Sequence, residues 1–274
     1  MRKLITIFAL SLSLFLAAST QARADVVLPD LETYWPGFQI LPGSDFYGVP
    51  DLKGVTFTYD GHYLSKVYIE YSIGNVSNYS GHYPYEAFAP GDWFFSIDDD
   101  NDWEIVLTTA SGAKNSLITT ETNDWSALAE MRSETNWLLY DMSSNDLTYG
   151  TPNSYVLAGS ALYPTNWTGR TGHPALAVLP NGLASSNITF SGWGYDWDNG
   201  VPTANKIYNA YWDLGDNKIF LGDQGGTFTY GFSLTCANDI LYGKAPIPTP
   251  EPGTLLLLGA GLLGLGAVAR KRRR

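Results

Sequence analysis

Cysteine is nearly missing from this 274-residue chain: Cys236 stands alone. No intramolecular disulfide is possible, so the fold must rest on its core or on bound ions. A lone thiol behind a strand-like run reads as a small buried apolar residue. An intermolecular disulfide, or a lipid or ligand adduct, is its other option. Cations are scarce too, with 16 Lys and Arg against 27 Asp and Glu and a net charge of −11. There are three histidines, His62, His82 and His173, each following a glycine in a turn context. They make a metal triad only if folding gathers them. The chain has no phosphate loop, dinucleotide fingerprint, H-E-x-x-H, paired-cysteine site or Gly-x-Ser-x-Gly elbow. Long runs with helical periodicity are few. These absences remove the usual signatures of nucleotide, hydride, zinc and serine chemistry, and the chain is expected not to be an enzyme.

What is present is aromatic and β-rich. The chain holds 9 Trp, 18 Tyr, 12 Phe and 28 Gly. Short apolar or alternating segments separated by Gly, Asn, Asp and Pro read as an all-β fold. The expected body is an antiparallel β-sandwich, jelly-roll-like, with one short helix over residues 123–132. Strands are expected at 55–59 and 66–71 around the Asp60-Gly61 turn, then on either side of residue 98. Others are expected at 137–142, 154–162, 175–179, 187–193, 219–221 and 227–234. Residues 25–54 read as irregular.

The two ends differ from the body. Arg2 and Lys3 precede an apolar run over 4–18, and Ala22-Arg23-Ala24 is a small-x-small cleavage site before Asp25. Residues 1–24 therefore read as a secretory signal peptide, handed to the secretion machinery. At the other end, 245–253 is a Pro-rich linker that holds Pro250-Glu251-Pro252. An uncharged Leu- and Gly-rich run over 254–269 follows, and then five cations over 270–274. Proline on both sides of Glu251 keeps that peptide extended. Sixteen helical residues reach roughly 24 Å, slightly short of a ~30 Å hydrocarbon core. Snorkelling arginines or local thinning absorb the difference. The basic end should stay cytoplasmic, which places the body, 25–244, across the membrane.

This tail resembles the PEP-CTERM sorting signal of exosortase-dependent exported proteins. Tripeptide, helix and basic end together carry the resemblance, which covers about a tenth of the chain. It implies export, retention in the membrane through the tail, and cleavage near Pro-Glu-Pro by an exosortase-type membrane enzyme. It further implies a surface or extracellular-matrix protein of a Gram-negative bacterium that makes exopolysaccharide.

Without the two end segments, the body keeps 8 Lys and Arg against 26 Asp and Glu, a net of −18. Such a surface repels nucleic-acid phosphates, which excludes a nucleic-acid partner, and it attracts divalent cations. Two acidic stretches are candidate sites. In the first, Asp98, Asp100 and Asp102 alternate between two β-type runs, as in the first half of a calcium loop. Ca²⁺ wants six to eight oxygens, and alternating carboxylates on a tight turn supply several. Trp103 and Thr109 stand where an EF-hand needs Gly and Glu, so the other reading is a solvated turn whose charges prevent edge pairing. In the second, Trp193, Tyr195 and Trp197 alternate with Asp196 and Asp198 nearby. Alternation puts three rings on one face, where rings stack on sugar C–H groups and carboxylates bind hydroxyls. The competing reading packs these rings into the core.

Taken together, the residues point to an exported, non-catalytic structural or binding module that associates with Ca²⁺ and exopolysaccharide. The alternative is a secreted polysaccharide hydrolase. That reading needs two carboxylates at a set separation, such as Asp196 and Asp198 or Glu70 and Glu86.

Overall fold

The computed structural model describes residues 23–30, 51–72, 89–98, 103–110, 130–143, 156–158, 174–177, 185–194, 197–198, 201–202, 206–223, 225–234 and 240–248. It also describes 259, 261, 263, 264 and 270. Eleven strands form one antiparallel sheet, ten of them in a continuous path. The ten are β1 (Arg23–Pro29), β2 (Asp51–Asp60), β3 (Tyr63–Ser72), β4 (Pro90–Ser96), β5 (Ile105–Thr109) and β6 (Asn136–Asp141), with β9 (Ser185–Ser191), β12 (Ile207–Asp213), β14 (Gly226–Leu234) and β15 (Ile240–Ile247). Their order is β1-β2-β3-β12-β9-β6-β5-β4-β14-β15. A short β13 (Ile219–Phe220) pairs with the start of β3. The outer strands β1 and β15 come back beside each other, so the sheet is a nearly closed barrel.

The all-β antiparallel expectation holds. The two packed sheets of a sandwich are replaced by a single sheet curled on itself. Period-2 alternation shows that one face of a strand is buried, but not whether a second sheet or the far wall of the same sheet covers it. Among the described residues a second layer exists only locally. A two-stranded ribbon of β7 (Val156–Ala158) and β8 (Pro174–Ala177) lies outside the barrel, with β8 against β4, β5 and β14. There every residue of β4 is buried on both faces. Of the expected 123–132 helix, 130–133 forms one helical turn, and 123–129 lie outside the described residues. Likewise, 25–29 and 51–54, read as irregular, belong to strands β1 and β2.

Inside the barrel the core is built from rings. Trp93, Trp137 and Trp212 are all fully buried. Trp212 meets Trp93 and Trp137 edge-on at 5.5 and 5.2 Å between centroids. Phe57, Phe190, Phe228 and Phe232 fill the space around them. Among the described residues, none of the three indole N–H groups has a hydrogen-bond acceptor. Edge-to-face ring packing offsets part of that cost.

The register assigns every strand end to one of two poles. At the lower pole Arg23 faces Asp60, Asp213 faces Lys66, Ile105 faces Asp141, Thr229 faces Ser96 and Ile247 faces Gly226. The upper pole holds Ser72, paired with both Asp51 and Ile207, and β9 runs toward it, with its last residue Ser191 opposite Tyr211. Two ion pairs brace the lower half of the wall: Lys218 with Asp60, and Lys66 with Asp213 at 2.5 Å. The second is largely solvated and contributes at most about 1 kcal/mol. Among the described residues, no helix is long and apolar enough to cross a membrane, and most of the 254–269 run lies outside them.

Candidate functional site

The upper pole carries an ordered aromatic stack. Strand β9 ends at Ser191, and Gly192 turns the chain with φ +97°. A Cβ on Gly192 would stand 2.5 Å from the Asn209 carbonyl oxygen, so only glycine lets this turn approach β12. The turn delivers Trp193 onto Tyr71, ring on ring at 4.4 Å and 23°. Tyr71 in turn stacks on Tyr208 at 5.7 Å. Lys206 Nζ lies 5.6 Å from the centre of the Tyr208 ring. The Tyr71 hydroxyl fixes the loop from beneath. It donates to the Gly194 carbonyl at 2.8 Å and accepts the Gly194 N–H at 2.9 Å. Burial pushes the Tyr71 phenol well above its ordinary range; the Gly194 bond lowers it in part, and nearby Tyr208 raises it.

Trp193 is therefore half-buried, one ring face committed to Tyr71. Tyr195 and Asp196 lie outside the described residues. Trp197 and Asp198 form the short strand β10, paired with β11 (Val201–Pro202). The sequence pattern put Trp193, Tyr195 and Trp197 on one face, and two of these side chains lie outside the described residues. Trp193 stacks on Tyr71 and, through it, on Tyr208, from two strands that the loop's sequence does not mention. The outward–inward alternation of β12, with Tyr208 facing in, was the signal that could have found the second of them.

The acidic hairpin sits at the opposite, lower pole. Its arms are β4 and β5, with Phe95 facing Ile105. Asp98 is exposed, while Asp100 and Asp102 lie outside the described residues. The base of the hairpin is tied down. Glu104 Oε2 accepts the Ile97 N–H at 2.6 Å, and the buried Trp103 packs on Phe94 at 5.8 Å. The residue in the glycine position of a calcium loop is thus a packing residue that holds the tip to the barrel wall. The described members of the two candidate stretches, Asp98 and Trp193, lie toward opposite poles. Glu70 is exposed on β3, and its suggested partner Glu86 lies outside the described residues, as do Cys236, His82 and His173.

At the chain ends, Ala22 lies outside the described residues. Ala24 is within β1, opposite Tyr59. Pro250, Glu251 and Pro252 lie outside them too, but β15 carries the barrel as far as Ile247, three residues into the stretch read as linker. The PEP-CTERM protein-sorting motif matches residues 248–274, beginning at the residue after β15. The motif implies an exported, cell-surface protein processed by an exosortase. No curated protein and no solved structure matches the chain.

Proposed function

We propose that the barrel is the non-catalytic passenger of an exosortase-processed surface or extracellular-matrix protein, and that it associates with exopolysaccharide through its upper pole. The observation that carries the reading is the sorting motif beginning directly after the last barrel strand. In this reading residues 1–24 direct secretion, 254–269 hold the chain in the membrane, and the exosortase acts at Pro250-Glu251-Pro252. The Tyr71–Trp193 stack supports the sugar component, because a half-exposed Trp already held in place by Tyr71 can contact a sugar at low conformational cost.

Expression of the full chain in a host that has the exosortase tests the sorting component. The exported product should lose the mass of its tail, and a Glu251→Ala variant should keep it. Export of an intact, full-mass wild-type chain would overturn the reading. For the sugar component, the processed barrel should co-sediment with the host's exopolysaccharide, and Trp193→Ala should weaken that several-fold. Equal retention of both proteins removes Trp193 from the site.

A further inference from the structure

Both ends of the chain leave the barrel at the same pole. Arg23, the first described residue, faces Asp60, and Ile247, the last residue of β15, faces Gly226. Strand pairing carried around the sheet puts both of these pairs at the lower pole. Ile247 is fastened there: it is 6 % exposed, belongs to the core, and follows the fully buried Ala245 by two residues. Six residues, 248–253, lie between Ile247 and Thr254, where the apolar run begins, so the chain takes seven residue steps to reach it. Three of the six are proline. At ~3.1–3.4 Å per residue this connection spans at most about 24 Å. The headgroup layer takes roughly 5–8 Å of that. What remains, about 16–19 Å, is well short of the ~30 Å length of a nine-residue strand such as β14.

We propose that, while the tail is in the membrane, the lower pole is held against the lipid surface and the upper pole, with the Tyr71–Trp193 stack, points away from it. The inference rests on the reading of residues 254–269 as membrane-inserted. The contact is enforced by the short connection and not by attraction. Asp98, Asp141, Asp216 and Asp223 are all exposed toward this pole, and carboxylates are repelled by anionic headgroups. A longer connection should therefore free the barrel to swing away.

The test uses the full chain, Cys236→Ser, in membrane vesicles from a host without the exosortase. Asp216→Cys places a thiol on the exposed turn after β12, at the lower pole. Ile207→Cys places one at the exposed start of β12, at the upper pole. A small maleimide should label both at similar rates. A bulky polyethylene-glycol maleimide should label Asp216→Cys several-fold more slowly than Ile207→Cys. A roughly twenty-residue Gly/Ser insertion after Pro248, worth ~25 Å of mean reach, should erase the difference. Equal labelling by the bulky reagent without the insertion, in a chain that resists carbonate washing, overturns the proposed orientation alone. Release of the chain by carbonate overturns the membrane reading and the orientation together.

Discussion

At the scale of single residues, Tyr71 links the core to the candidate site. Its ring is part of the barrel interior and its hydroxyl holds both polar groups of Gly194. Tyr71→Phe keeps the ring and removes both hydrogen bonds. It should cost about 1 kcal/mol in denaturant unfolding and change the tryptophan near-UV dichroism as Trp193 loosens. An unchanged dichroism would mean that stacking alone fixes the loop. The same residue sets an alkaline limit. Burial raises the phenols of both Tyr59 and Tyr71 above their ordinary value. Above a pH of about 10 the unfolded chain ionises these groups while the folded one keeps them protonated. The unfolded state then binds fewer protons, so stability is full below that pH and falls as pH rises through the folded-state values. Thermal unfolding followed from neutral to strongly alkaline pH, alongside tyrosinate absorbance, should show ionisation of these two only as the barrel opens.

At the scale of elements, the strands easiest to read were those with strong apolar alternation. The run from Thr227 through Phe228, Tyr230, Phe232 and Leu234 is β14, and the arms around the acidic tip are β4 and β5. Strand β12 was not anticipated, although its burial alternates without a break, because Tyr208 and Ala210 face in while Ile207 and Tyr211 face out. Hydropathy alone assigns those faces poorly: an exposed Ile and a buried Tyr reverse its rule. Strands β1 and β15 were hidden for another reason. Each begins or ends in a segment that also carries an address signal. The acidic hairpin stays open to both of its sequence readings, and a calcium titration separates them. If the tip is a calcium site, added Ca²⁺ should raise Tm by the linkage expected of a ligand that binds only the folded state. Replacing Asp98, Asp100 and Asp102 together with Asn should abolish that rise and leave the Ca²⁺-free Tm nearly unchanged. No rise in the parent protein removes all three from the site.

At the scale of the whole molecule, one ring cluster ties together strands β4, β6, β9, β12 and β14. Trp212 of β12 contacts Trp93 of β4, Trp137 of β6, Phe190 of β9 and Phe232 of β14. A truncation there should be felt by all of them at once. Trp212→Ala should lower stability by about 3–5 kcal/mol, in a single transition seen alike by far-UV dichroism and by fluorescence of the remaining tryptophans. Two separated transitions would show that the β1-β2-β3 segment folds independently of the rest.

Sequence alone determined the parts of this protein that are contiguous in the chain. The sorting motif works as a linear string of tripeptide, apolar run and basic end, so it is legible without any fold. Strand identity was largely legible as well, because alternation is local. The tertiary structure decided that one sheet curls into a barrel where two were expected to pack. It also put Asp98 and Trp193 toward opposite poles, and the start of β1 and the end of β15 at one. Those outcomes depend on register between strands as far apart as β3 and β12, and no local pattern specifies which distant edges will share hydrogen bonds.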